Sequence, residues 1–150
     1  VLKNIEINDN KEDIIFTEKL EMDIPNYCYT IGEDLLFCPN VFNQIQNVPP
    51  RINNRKQKLY ISSGFIDNDS IVIKLPNNYM VDVLPENISI ENKFGSYTIR
   101  FKNIDDTTFE YYRQFILKKG DFPPEEYMNY RSFRKKVTKL DRTKIILKKK

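Results

Sequence analysis

The sequence contains no histidine. That absence removes the usual general base near neutral pH, the Ser-His and Cys-His nucleophile pairs, and the commonest zinc ligand. Two cysteines without histidine do not complete a closed zinc site unless carboxylates or a second chain join them. Glycine is scarce, with 4 in all at positions 32, 64, 95 and 120, so neither a dinucleotide fingerprint nor a phosphate-binding loop can be drawn. Tryptophan is missing too, which weakens the case for a sugar-stacking platform. No apolar run approaches the roughly 18 residues that would span a bilayer. The start, Val1-Leu2-Lys3-Asn4, has neither an initiating Met nor a signal-peptide pattern, so the chain is expected to be a fragment cut from a longer polypeptide.

What is present is aromatic. There are 9 Tyr and 10 Phe among 150 residues, with 40% hydrophobic and 30% charged, a composition that supports a folded core rather than disorder. A chain of this size buries roughly 70% of its extended surface on folding. The 24 basic and 21 acidic residues leave a net charge of +3, so the long-range field is weak and nucleic acid is not demanded as a partner. The basic excess gathers late, in Arg131, Arg134, Lys135, Lys136, Lys139, Arg142, Lys144 and Lys148-Lys149-Lys150. Interleaved with a helical stripe and a strand, it reads as a solvated face rather than an anionic-lipid or nucleic-acid patch.

Short strand signals separated by turn residues run through most of the chain and predict an antiparallel β-sandwich, immunoglobulin-like in architecture, closed by one carboxyl-terminal helix. Strands are expected near 14–22, 27–31 and 35–38, divided by Pro25-Asn26 and Gly32-Glu33. From Pro39 to Gln57 the composition shifts to Asn, Gln and Pro, a long connection of a kind that is uncommon unless it packs on something. Tyr97, Ile99 and Phe101 alternate with Thr98, Arg100 and Lys102, which predicts a strand wet on one face. In the next strand Phe109, Tyr111, Phe115 and Leu117 share a parity with Arg113, which must therefore be paired, snorkel outward or sit at a bulge. The helix begins at Pro123-Pro124-Glu125-Glu126, and Tyr127, Tyr130, Phe133, Val137 and Leu140 form its apolar stripe. A last short strand is expected over 144–147. The whole, residues 1–150, reads as one domain.

Three carboxylate pairs are the candidates for acid-base chemistry: Asp105 with Asp106, Glu125 with Glu126, and Asp67 with Asp69. Turn, helix-opening and strand-bounding positions account for each without catalysis. Asp67 and Asp69 have the alternate spacing of a calcium loop, but Ile71 occupies the next ligand position and no glycine follows. Cys28 and Cys38 flank Gly32-Glu33. A three-residue turn would set them opposite each other, within reach of a disulfide; a two-residue turn would put them out of register, as two small thiols. No residue is assigned a catalytic, cofactor-binding or metal-binding role.

One further reading rests on order rather than on any single motif. Pro49-Pro50-Arg51, Ile71-Val72-Ile73-Lys74-Leu75-Pro76, Val81-Asp82-Val83-Leu84-Pro85-Glu86-Asn87, Phe94-Gly95-Ser96-Tyr97, Tyr112-Arg113, the run Lys118-Lys119-Gly120-Asp121-Phe122-Pro123-Pro124-Glu125-Glu126-Tyr127, and Lys139-Leu140-Asp141-Arg142 follow one another. Over residues 49–150 this resembles the carboxyl-terminal domain of unknown function that follows the transglutaminase-like domain in bacterial cell-envelope proteins. Residues 1–48 are similar, more loosely, to the β-rich stretch before it. The resemblance implies a parent with an amino-terminal β domain, a papain-like Cys-His-Asp core upstream, and export to the periplasm or cell surface. No catalytic residue carries over, because no histidine here matches one. The expected role is that of a non-catalytic accessory domain partnered by that upstream core. The rival is an independent module recognising an envelope glycan or peptide, which requires exposed tyrosine beside Asn or Asp.

Overall fold

A computed structural model describes residues 1–150. The fold is mainly β, built from antiparallel sheets with a single helix near the carboxyl end, as the strand and helix patterns predict. The framework is a four-stranded sheet of β6 (Phe65–Lys74), β10 (Thr108–Leu117), β9 (Gly95–Asp105) and β8 (Ile88–Asn92), in that spatial order. Its alternation is strict: Tyr97, Ile99, Phe101, Phe109, Tyr111, Arg113, Phe115 and Leu117 are buried. The opposite face carries polar pairs, including Ser70 Oγ on Glu110 at 2.9 Å and Ser89 with Thr98 at 3.0 Å.

A second four-stranded sheet orders β3 (Tyr29–Ile31), β4 (Asp34–Phe37), β12 (Ile145–Lys149) and β7 (Tyr79–Val81). A short pair joins β11 (Gly120–Phe122) to β5 (Leu59–Ile61). The two larger sheets and the helix α1 (Tyr127–Asp141) share one core, in which the second sheet and α1 divide the cover over the buried face of the first sheet. At one end Phe133 of α1 packs on Phe115 with ring centroids 6.1 Å apart, and Tyr130 on Phe94 at 5.4 Å. At the other end Phe37 of β4 meets Phe109 at 6.1 Å. Tilted and edge-on aromatic pairs of this kind each add about 0.5–1.5 kcal/mol beyond the area they bury. The helix follows a single 3-10 turn, Pro124–Glu126, in which proline occupies a position whose N–H has no helical partner in any case.

Two elements depart from the expectation. Residues Leu2–Asn10 form a strand, β1, paired along its length with β2 (Ile15–Met22). Its Asn- and Asp-rich sequence has weak strand propensity, and the pairing with β2 supplies what propensity does not. Asp67-Asn68-Asp69, expected to bound a strand, lies inside β6. The reason is parity: Asp67 and Asp69 share a face with Ile71 and Ile73, and the register sets Asp69 directly opposite Arg113 of β10.

Candidate functional site

The most concentrated chemistry is a cluster of charge under the sheet. Arg113, on the inward face of β10, is 0% exposed. Its Nε donates to Asp141 Oδ1 at 2.8 Å, and its Nη1 donates to Asp67 Oδ2 at 2.8 Å and to Asp69 Oδ2 at 2.7 Å. Burial works against the charge on Arg113, but Asp67, Asp141 and Asp69 together outweigh it and hold the guanidinium protonated. Its Nη2 has no hydrogen-bond partner in the chain, while the guanidinium carbon lies 5.6 Å from the ring centre of Tyr97 and 6.0 Å from that of Phe115.

Asp141 ends α1 one turn beyond Val137, on the same face, and is also 0% exposed. It receives Tyr97 Oη at 2.6 Å and Asn40 Nδ2 at 3.0 Å on Oδ1, and the backbone N–H of Ile45 at 2.9 Å on Oδ2. A buried carboxylate with this many donors is a tie-point between strand, helix and loop. It presents no oxygen to solvent, and a general base needs one that a substrate can reach. Burial, then the neighbouring Tyr111 and Asp141, push the Tyr97 phenol well above its usual range; burial likewise raises that of Tyr111.

The same contacts explain the long connection after Pro39. Asn40 and Ile45 are held by Asp141, Asn43 Nδ2 donates to Asp69, and farther along Tyr127 Oη donates to the Pro50 carbonyl at 2.7 Å and Arg131 Nε to that of Pro49 at 2.9 Å. The loop is thus packed on helix and sheet, the circumstance in which such a length is tolerated.

Of the carboxylate pairs singled out from sequence, Asp67 and Asp69 come together on Arg113. Asp105 accepts from the Thr107 N–H at 2.8 Å in the β9–β10 turn, which holds its carboxyl below the usual range. Glu126 accepts from Asn129 at 3.0 Å and pairs with Lys93 at 2.8 Å, with the same effect. Neither Asp106 nor Glu125 is drawn to these clusters. Residue reasoning missed Asp141, although extending the stripe from Phe133 and Val137 by four positions lands on it.

The β3–β4 turn has two residues, Gly32 and Glu33, with Tyr29 opposite Leu36 and Ile31 opposite Asp34. Continued one step, that register sets Cys28 against Phe37, so the cysteines are offset and both are free thiols. Cys38 Sγ donates to the Asp141 carbonyl at 3.3 Å, and Tyr27 Oη donates to the Cys38 carbonyl at 2.7 Å. Burial pushes both thiols up, so neither is activated as a nucleophile. In the basic tail, Arg134 lies against Tyr130 and Phe115, and Lys148 and Lys149 pair with Asp34 at 2.6 Å and Glu33 at 2.9 Å.

These features define a mainly-β domain whose one helix is keyed to the sheet by a buried guanidinium-carboxylate cluster. The chain belongs to the family described as "Domain of Unknown Function with solved-structure structure (DUF3858)", whose model matches residues 33–147, reaching farther toward the amino end than the resemblance over 49–150. Among solved structures it is similar to a crystal structure of a "putative protease" from Parabacteroides distasonis ATCC 8503, with a TM-score of 0.52 and 20% identity. That match covers 67% of this chain and 22% of the other, so the likeness is to a segment of a much longer protein. No curated protein matches the chain. No helix is long and apolar enough to cross a membrane.

Proposed function

We propose that the chain is a non-catalytic accessory domain of a transglutaminase-like envelope protein, packing on or positioning a catalytic-type domain upstream of it, in the periplasm or at the cell surface. The observation that carries this reading is the similarity to 22% of a longer chain described as a protease, together with membership of a family with no assigned activity. The β1–β2 hairpin supports it. The register puts Ile5, Ile7, Phe16 and Leu20 on one face, and the first three are 47%, 60% and 65% exposed. A lone two-stranded hairpin is marginal in water, and an apolar face of this kind gains stability by covering.

The complete reading frame provides the first test. An upstream Cys, His and Asp in transglutaminase order behind an export signal supports the proposal, and a small isolated gene overturns it. Hydrogen exchange then reads the packing: hairpin amides are expected to exchange quickly in residues 1–150 alone and to be protected in the longer polypeptide. The second reading, a module that recognises an envelope glycan or peptide, has one observation in its favour: exposed Tyr29 borders an open pocket with Asn26 and Gln44.

A further inference from the structure

Where the β3–β4 hairpin meets the end of α1, a pocket of about 510 Å³ opens to solvent, lined among others by Asn26, Tyr29, Cys38, Gln44, Arg142 and Lys144. Its volume falls within the range of small-ligand sites, about 300–1,000 Å³. The lining has two cations and no carboxylate. Lys148 and Lys149, a few residues on, do find acidic partners, in Asp34 and Glu33. Arg142 makes only a long hydrogen bond of 3.4 Å to the Gln46 carbonyl, and Lys144 Nζ stands 5.6 Å from the ring centre of Tyr29. The nearest acid in sequence, Asp141, is turned into the core and matched there by Arg113. Neither pocket cation is paired with a carboxylate, so the pocket carries two positive charges with no ion-pair partner.

Three chemistries meet in it. Tyr29 is 69% exposed and presents an aromatic ring for the C–H face of a sugar. Asn26 and Gln44 bring amides that both donate and accept, suited to hydroxyl groups. Arg142 and Lys144 supply charge-assisted donors for an anionic group. The Cys28 and Cys38 thiols on the wall are pushed up by burial, so they add no negative charge opposite Arg142 and Lys144.

We propose that this pocket binds an acidic saccharide, a sugar ring bearing a carboxylate, with Tyr29 stacking on the ring and Arg142 and Lys144 holding the acid. An acidic peptide fits less well. Peptides that dock on sheets add a strand to a free edge, and β3 offers 3 residues of edge. The assignment deepens the recognition reading and does not depend on the accessory role.

The experiment titrates residues 1–150 with trigalacturonate, with neutral galactotriose, and with a short Asp/Glu-rich peptide, following backbone amide shifts and calorimetry. Saturable binding of trigalacturonate alone, with shifts centred on Tyr29, Arg142 and Lys144, is the expected result. Arg142→Gln and Lys144→Met should each weaken it by at least about tenfold, the lower end of the loss for a hydrogen bond to a charged group. Tyr29→Ala should weaken it by several fold, and the Tm should hold in all three because these side chains are exposed. Equal binding of the neutral sugar at this pocket overturns the acidic assignment while leaving glycan recognition standing. Preference for the peptide, binding untouched by the three variants, or no binding to any probe overturns the assignment altogether, and the last removes the recognition reading with it.

Discussion

Arg113 and Asp141 lie 28 residues apart, one in the middle of β10 and the other at the last residue of α1, and they meet at 2.8 Å with neither side chain exposed to solvent. An apolar stripe alone tolerates rotation or sliding of a helix over a sheet. A buried charge does not, because moving α1 by one turn would leave the Asp141 carboxylate desolvated without its guanidinium, at a cost of several kcal/mol, while Arg113 kept only Asp67 and Asp69. Tyr97, Asn40 and the Ile45 N–H add donors to the same carboxylate, so sheet, helix and loop are brought to one point.

Removing one partner of this pair should therefore be severe. Arg113→Met is expected to cost about 3–5 kcal/mol, because it strands Asp141 in the core. Asp67→Asn should cost under about 1 kcal/mol, since that side chain is 39% exposed and water can replace the contact. Urea unfolding followed by far-UV circular dichroism measures both. Equal losses for the two variants would contradict the assigned hierarchy.

Alkaline pH should unfold the protein sooner than its surface charge implies. The Tyr97 phenol is raised by burial, Tyr111 and Asp141, so the folded state keeps its proton where the unfolded chain, with a value of about 10, loses it. The stabilisation is complete below that value and declines as pH climbs through it toward the folded one. Urea midpoints between about pH 8 and 11 should fall more steeply for the parent than for Tyr97→Phe. Parallel curves would show that this phenol is not the group responsible.

Reductant should make no difference to stability. Cys28 and Cys38 are offset by the two-residue turn and are free, so the melting temperature with and without dithiothreitol should coincide. Both thiols should also label slowly at neutral pH until the chain is unfolded, because burial keeps them protonated. A melting temperature that drops on reduction would mean the register has been misassigned.

Two glycines with positive φ should respond unequally to alanine. At Gly95, φ is +149° and a Cβ would lie 1.9 Å from the Ile116 carbonyl oxygen, so the β9–β10 pairing itself must shift. At Gly32, φ is +64° and nothing stands within 4 Å, which leaves only the left-handed penalty of about 1–2 kcal/mol. Gly95→Ala should exceed Gly32→Ala by at least about 1 kcal/mol in chemical denaturation.

Much of the framework was legible from periodicity. The alternation at Tyr97, Ile99 and Phe101 and the stripe from Tyr127 to Val137 mark faces that the fold buries, because a strand or helix with one apolar face has few alternatives. The parity of Arg113 left pairing, snorkelling or a bulge open, and only the fold shows that it is paired, and with what. Asp67 and Asp69 were misplaced because a run of Asp and Asn reads as a turn when its partner strand is unknown. β1 was invisible for a related reason: Leu2–Asn10 is nearly all exposed, so burial left no pattern in it.

The sequence by itself determined the class of fold, the strand and helix faces, and the chemistry open to a chain without imidazole, since these follow from local spacing and residue type. Tertiary structure alone decided that three aspartates from two elements converge on one guanidinium, that a two-residue turn separates the cysteines, and that Arg142 and Lys144 share a pocket with Tyr29. Local spacing fixes which way a side chain points. Which distant side chain it meets depends on register and on burying charge without loss, and those belong to the assembled core.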